Sequence, residues 1–195
     1  MRWFWVVSND NTVSKPLVVN EGWLDVDDAD LDACKEISTW SGKAWVRSSR
    51  TDHDGQPDDA LQNLYGIPII SPRFREALEM AHVSGIQYLP INVILSTGTS
   101  LPGFCIANVL NCTNALDIGR SKFEVFPEDY FLPARRGLIR VIRESTLRRS
   151  RLQGLDLIRL SSFKPYLYAS ERVVRIFEAQ KFTGLSFHEV PTTPS

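Results

Sequence analysis

Few side chains in this sequence have the type and spacing that catalysis requires. Of the three histidines, only His53 stands between carboxylates, where Asp54 could orient its imidazole for acid–base chemistry. A solvated loop histidine is the simpler interpretation of that pattern. His82 falls on the exposed side of a predicted helix, and His188 falls on a predicted strand. Because the GxSxG, HExxH, Walker and GxGxxG motifs are all missing, we predict no catalytic residues, while a triad assembled from distant residues stays open.

The thiols and the clustered acids also lack the spacing of a metal site. The three cysteines, Cys34, Cys105 and Cys112, form no CxxC pair, and no histidine stands near the last two. We interpret them as reduced, structural thiols of a cytoplasmic protein. The acidic run at 25–30 lacks the central glycine and the twelfth-position glutamate of a calcium loop. We therefore predict neither a metal nor a cofactor.

A net charge of -1 conceals an uneven distribution of charge along the chain. Residues 1–66 carry twelve acidic and six basic side chains, whereas residues 67–195 carry eleven and sixteen. Seven carboxylates and one lysine lie in an acidic segment, residues 21–36, and seven arginines and one glutamate lie in an arginine-rich segment, residues 135–151. Such asymmetry indicates charged partners or attraction between the two parts, although charged faces that meet only solvent give the same pattern.

The charged segments favour a protein partner over nucleic acid or membrane. Seven closely spaced arginines could follow phosphates, but a pI of about 6.3 and the lack of a nucleic-acid-binding motif disfavour that function. The acidic segment has the opposite potential, which would attract a basic protein surface. No apolar run is long enough to span a membrane, and residues 3–7 are too short for a signal peptide. We predict a cytoplasmic protein without membrane attachment.

An internal repeat indicates which elements position these residues. Residues 71–91 align without a gap on residues 170–190, with identical Ser, Arg, Glu and Gly at four equivalent positions. In each copy apolar residues recur at the i, i+3, i+4 spacing of a helix with one buried face. A serine stands at each predicted helix start, where its hydroxyl could accept hydrogen bonds from free N–H groups. Gly85 and Gly184 are predicted to end the two helices.

The repeat predicts an α+β fold with two related strand-helix-strand units, about 67–91 and 166–190, packed on a mixed or antiparallel sheet. We expect residues 1–64 to form a variable, acidic amino-terminal segment packed on the rest. Residues 65–190 would form the domain that contains the repeat, and residues 191–195 a frayed tail.

The motifs around the repeat resemble a known family. They are Gly-Ile-Pro-Ile-Ile-Ser at 66–71, Gly-Ile-Gln-Tyr-Leu-Pro-Ile at 85–91, Ala-Asn-Val at 107–109, Asn-Ala-Leu-Asp at 114–117 with Ser121, Tyr-Ala-Ser-Glu-Arg at 168–172 and Thr-Gly-Leu-Ser-Phe at 183–187. Their order and spacing resemble those of the immunity proteins of bacterial polymorphic toxin systems, immunity family eleven. The resemblance covers residues 65–190, most strongly in the two repeats, and residues 1–64 match only loosely.

The resemblance implies an α+β protein that binds a cognate toxin effector, encoded by a neighbouring gene, and neutralises it by stoichiometric occlusion in competition between bacteria. It implies no catalytic residue and no cofactor, and a homo-oligomer is left open. Since the matching motifs lie at caps, turns and strand ends, they carry over a fold and not an interface. We place the predicted toxin-binding surface on the acidic segment and its tryptophans, because aromatic anchors ringed by charge are typical of tight protein interfaces. The predicted contact residues are Trp23, Asp25, Asp27, Asp28, Asp30, Asp32, Glu36 and Trp40.

Two alternatives remain at this stage. The protein could be an enzyme that reverses the toxin's modification of its target, with His53 and Asp54 as the pair. It could instead be a nucleic-acid-binding module that uses the arginine-rich segment.

Overall fold

The computed structural model of the protein describes residues 1–8, 17–49 and 55–194 and confirms the predicted α+β class. Two helices of nine residues, α2 (Pro72–Met80) and α3 (Glu171–Ala179), accompany a short helix α1 (Asp28–Leu31) and many strands. The strands are β1 (Trp3–Ser8), β2 (Val18–Val19), β3 (Glu21–Trp23), β4 (Trp45–Arg47), β5 (Ala60–Asn63), β6 (Ile69–Ile70), β7 (Ile86–Pro90), β8 (Asn92–Ile94), β9 (Ser100–Leu101), β10 (Cys105–Val109), β11 (Cys112–Thr113), β12 (Lys122–Val125), β13 (Ile139–Glu144), β14 (Leu147–Arg148), β15 (Leu157–Leu160), β16 (Phe163–Ser170), β17 (Leu185–Val190) and β18 (Thr192–Thr193).

Each of the two repeats contributes to its own five-stranded sheet. The strand order is β2-β5-β6-β10-β7 in the first sheet and β11-β15-β16-β1-β17 in the second. In both sheets the first two strands in this order, β2 with β5 and β11 with β15, are parallel. The other three pairs of each sheet are antiparallel. The fourth strand of the first sheet is β10, which follows β7 along the chain. The fourth strand of the second sheet is β1, from the amino-terminal end of the chain.

Smaller sheets extend this framework. A four-stranded sheet has the order β3-β4-β8-β9, and β12 and β13 form a separate hairpin. Strand β18 pairs in parallel with β14, so residues 192–193, within the segment predicted to fray, hydrogen-bond to the body of the protein.

The two helices begin as the repeat predicts, but their capping differs. The Ser71 hydroxyl accepts a hydrogen bond from the Phe74 N–H at 3.2 Å, which satisfies one free donor of the first turn. The Ser170 hydroxyl makes no such cap bond with any described residue. It donates instead to Asp156 Oδ1 at 2.7 Å.

The residues that end the helices differ from the prediction. His82 and Lys181, both with φ of 52°, take the left-handed conformation directly after the two helices. The Val83 and Phe182 N–H groups then bond back to carbonyls five residues earlier, as in a Schellman motif. Gly85 and Gly184 also have positive φ, but they lie at the start of the following strands. Exposed side chains therefore occupy the helix-ending position that glycine usually takes.

The helices of the two units pack against each other over a shared apolar cluster. The Phe74 and Phe177 rings meet edge to face with centroids 5.4 Å apart. Arg73, at the start of α2, donates to the carbonyl oxygen of Lys181 beyond α3, while Arg172, at the start of α3, donates to that of Ala81 beyond α2. These reciprocal bonds relate the two units by an approximate two-fold arrangement.

Candidate functional site

The acidic segment, residues 21–36, begins in the edge strand β3 and continues through the short helix α1. Leu31 and Ile37, only 1% and 9% exposed, insert into the hydrophobic cluster beneath the four-stranded sheet. These apolar anchors fix the backbone on either side of several carboxylates, so the segment presents charge from an ordered support.

Two amide side chains add to this anchoring. Gln87 accepts from the Ile37 N–H and donates to the Ile37 carbonyl, both at 2.9 Å. Asn108 donates to the Lys35 carbonyl at 2.9 Å. Because Gln87 and Asn108 are paired across β7 and β10, they hold the segment to the first sheet much as a neighbouring strand would.

Some of the predicted contact carboxylates face solvent. The exposed residues Asp27, Asp30 and Glu36 lie at the start, the middle and the end of this part of the segment. Asp28 lies in α1 between the first two. The three exposed carboxylates create negative potential that is available to a partner.

Asp25 and Asp32 are instead engaged within the chain. Asp25 accepts hydrogen bonds from the Ser41 N–H at 2.9 Å and the Ser41 hydroxyl at 2.6 Å, and these bonds fix the loop before β4. Asp32 forms an ion pair at 2.8 Å with Arg159, whose side chain is 2% exposed. The Arg159 end of this pair is buried and the Asp32 side chain is 32% exposed, and the pair links the segment to the second sheet.

The two predicted aromatic contacts differ in the same way. Trp23 is 49% exposed, directly across from Trp45 on the neighbouring strand. Trp40 packs against the core, and its indole N–H donates to the Pro90 carbonyl at 2.9 Å. Trp23 is thus the predicted aromatic that a partner can reach.

A second exposed surface was missed by the sequence reasoning. The hairpin of β12 and β13 carries a loop, residues 126–138, in which Phe131 is 73%, Leu132 41% and Leu138 56% exposed. The signal in the sequence was an aromatic cluster interrupted by prolines at 127 and 133 and by Gly137, which prevent the loop from continuing either strand. We call residues 126–138 the hairpin tip.

Internal contacts give the hairpin tip a defined conformation. The Tyr130 ring lies between Phe126 and Phe131, with centroids 4.6 and 4.5 Å away. Arg136 Nε donates to the Tyr130 carbonyl at 2.8 Å, and the Arg135 guanidinium lies 5.8 Å from the centre of the Phe126 ring. The tip therefore presents an ordered apolar surface with arginines beside it.

The arginine-rich segment does not form one continuous cationic surface. Arg140 and Arg143 both pair with Glu124 across the hairpin, and their hydrogen bonds hold the pKa of that carboxyl below its usual range. Arg148 turns back to donate to the Leu116 carbonyl at 2.8 Å. The guanidinium groups are therefore spread over separate local contacts, which weakens the case for a phosphate-binding track.

The two histidines that the structure describes lie outside both the acidic segment and the hairpin tip. His82 is exposed at the end of α2, and the His188 ring lies 5.8 Å from that of Trp5. His53 and Asp54 lie outside the described residues. Within residues 1–8, 17–49 and 55–194, no group of three or more His, Cys, Asp and Glu side chains could hold a metal. Nor is any helix in that part of the chain long and apolar enough to cross a membrane.

The fold and its surfaces define a class of protein. It is a sheet-rich α+β protein in which a strand-helix-strand unit occurs twice and supports the ordered acidic segment. The model of the Immunity protein family (Imm11) matches residues 6–192, nearly the whole chain. The chain belongs to this family, which confirms the resemblance found in the sequence. Among curated proteins, none matches the chain.

Proposed function

We propose that this protein is a cytoplasmic immunity protein that binds a cognate bacterial toxin and neutralises it by stoichiometric occlusion, without catalysis. The observation that carries this proposal is the family match over residues 6–192. The toxin would be encoded by a neighbouring gene in the cell that carries this protein or in its kin.

The toxin-binding surface we propose lies on the acidic segment. Trp23, Asp27, Asp30 and Glu36 supply an exposed aromatic and three exposed carboxylates, and we call these four residues the acidic face. Three other predicted contact residues, Asp25, Asp32 and Trp40, hold the backbone of this face through the contacts described above, and Asp28 stays a predicted contact residue. A basic surface on the toxin would be attracted to this face, which speeds association and disfavours acidic partners.

The first experiment is co-purification of the tagged protein with the product of the neighbouring toxin gene, followed by affinity measurements at two salt concentrations. We expect a stable complex that weakens as salt rises, because screening reduces attraction between exposed charges. Protection of cells without any complex would overturn occlusion and favour an enzyme that repairs the toxin's target.

Matched charge reversals locate the interface. The double variant Asp27→Lys with Glu36→Lys changes two exposed carboxylates of the acidic face. Glu76→Lys with Glu178→Lys makes the same charge change on exposed positions of α2 and α3. We expect the first pair to weaken toxin binding about tenfold or more and the control pair to change it little. Equal effects would show a general charge effect and remove the acidic face from the interface.

The hairpin tip is the competing surface. Phe131→Ser with Leu132→Ser removes two of its exposed apolar side chains without touching the core. If the Phe131 and Leu132 variant weakens toxin binding and the Asp27 and Glu36 variant does not, the interface lies on the hairpin tip.

A further inference from the structure

Cys34 lies near the carboxyl end of the acidic segment and has an unusual backbone conformation. Its φ is 58°, which non-glycine residues rarely adopt, so its surroundings define its position. The Cys34 Sγ lies 3.6 Å from the Asp32 carbonyl, to which the thiol donates. Asp32 in turn is tied by its carboxylate to Arg159 of the second sheet.

The sheet topology brings a second thiol to the same place. Cys112 on the edge strand β11 pairs directly with Arg159 on β15. Because laterally paired residues project to the same face, the Cys112 side chain points toward the side on which Arg159 reaches Asp32. The Cys112 thiol is close enough to Cys34 to contribute to the raised pKa of Cys34. Although 78 positions separate them in the chain, the fold makes them neighbours.

We propose that Cys34 and Cys112 are a redox pair that closes to a reversible disulfide and fastens the acidic segment to the edge of the second sheet. The oxidant is a low-molecular-weight disulfide. The Cys112 thiolate attacks one of its sulfurs and releases one thiolate, which leaves a mixed disulfide on Cys112. Cys34 gives its proton to the released thiolate and attacks the Cys112 sulfur. The second small thiolate departs and takes up the proton that Cys112 lost. Two protein thiols are oxidised, and one small disulfide is reduced to two thiols.

The environments of the thiols set the order of these steps. Burial, together with the neighbouring Cys112 thiol, raises the pKa of Cys34 to about 12. Cys34 therefore stays protonated at neutral pH and is a poor first nucleophile. Cys112 is exposed and meets the oxidant first. Because Asp32 and Arg159 hold both cysteines on the same side of the second sheet, we expect the segment to keep its place when the bond forms.

The third thiol provides an internal control. Cys105 is 1% exposed within β10, and burial raises its pKa to about 11. It should remain reduced under conditions that oxidise the other two.

The test is oxidation of the full chain by oxidised glutathione, followed by thiol counting and peptide mass mapping. We expect the free thiols to fall from three to one, a cross-linked peptide pair containing Cys34 and Cys112, reversal by a reductant, and a melting temperature raised by about 5 °C. Cys105→Ser should still form the cross-link. Cys34→Ser should stop at a glutathione adduct on Cys112, and Cys112→Ser should leave Cys34 unmodified. A stable adduct on Cys112 in the unaltered protein, a cross-link through Cys105, or dimers linked through Cys112 would each overturn the proposal.

Discussion

The two strand-helix-strand units have the same strand order but obtain their fourth strand differently. In the first unit β10 follows β7 along the chain, so neighbouring segments complete the sheet. In the second unit β1 comes from the other end of the chain and lies between β16 and β17. Phe4 and Cys105 occupy equivalent places in these strands, because they pair with equivalent residues of the two repeats, and both are buried. The second unit therefore resembles a permuted copy of the first.

This difference teaches where the chain depends on long-range contacts. The antiparallel pairs of the first sheet join strands within residues 60–109, whereas the second sheet forms only when both ends of the chain meet. Contacts of large sequence separation cost more loop-closure entropy and slow folding. We therefore expect substitutions or deletions where the segments of a unit meet to destabilise the second unit more than the first.

The largest effect should follow from deletion of residues 1–8. Strands β16 and β17 would lose their common partner, and the buried Trp3 side chain would be lost from the core. We expect no cooperative unfolding transition in urea. Moving residues 1–8 to the carboxyl end through a glycine-serine linker should restore folding, because β1 would then follow β17 as β10 follows β7. A deletion variant that unfolds like the intact protein would contradict the permuted arrangement.

The second comparison uses the glycines after the two helices. A Cβ at Gly184 would overlap the Ala60 carbonyl oxygen and lie 2.8 Å from the Asp58 Cβ, whereas the three atoms nearest to one at Gly85 all belong to the Asn111 side chain. Both glycines have positive φ. We expect Gly184→Ala to lower the free energy of unfolding by about 3 kcal/mol and Gly85→Ala by about 1–2 kcal/mol. Equal losses in urea denaturation would mean that the two junctions are equally adaptable.

The third comparison concerns the carboxylates that bind the repeated Ser and Arg. Asp59 accepts from Ser71 at 2.7 Å, from both sides of the Arg73 guanidinium at 2.7 and 2.8 Å, and from the Thr183 N–H at 3.1 Å. Burial raises the pKa of Asp59, but these hydrogen bonds outweigh it and bring that pKa below its usual range.

Asp156 has fewer donors around it in the described chain: Ser170 and Arg172, each at 2.7 Å. We expect Asp59→Asn to cost about 2 kcal/mol of unfolding free energy and Asp156→Asn about 1 kcal/mol. Chemical denaturation at neutral pH measures both. A larger loss at Asp156 would reverse the order of importance of the two networks.

The smallest effect is the pH dependence that Glu171 of the second unit contributes. Hydrogen bonds from Arg2 hold the pKa of Glu171 at about 2, below its ordinary 4.5. Because the folded-state pKa is lowered, this stabilisation is complete above the unfolded pKa and is lost as pH falls toward about 2. Glu171→Gln should therefore flatten the fall in melting temperature between about pH 5 and pH 2, and Glu178→Gln on the same helix should not. The first unit has Pro72 at the position equivalent to Glu171, so it lacks this particular carboxylate.

Local patterns made much of the fold predictable. The spacing of apolar residues and the cap at Ser71 predicted both long helices and their following strands, and the structure confirms them. Glycine at 85 and 184 was predicted to end the helices, but His82 and Lys181 do so. Glycine is required at 85 and 184 because a Cβ there would overlap atoms of residues distant in the sequence, and the local sequence does not reveal those neighbours.

The charged segments show why less of the candidate site could be predicted. Sequence spacing marks Asp25, Asp27 and Asp32 as equivalent acids, but Ser41 and Arg159 engage two of them and leave Asp27 exposed. The exposed apolar residues of the hairpin tip likewise depend on where its strands pack. Partners distant in sequence determine which side chains remain available.

The sequence by itself determined the two helices, the strands that flank them, the α+β class and the family resemblance, because each depends on residues close together in the chain. Only the tertiary structure decided that β1 completes the second sheet, that the arginine-rich segment is dispersed, and that Cys34 meets Cys112. These features depend on contacts between residues far apart in sequence, whose geometry is fixed by the packing of whole sheets.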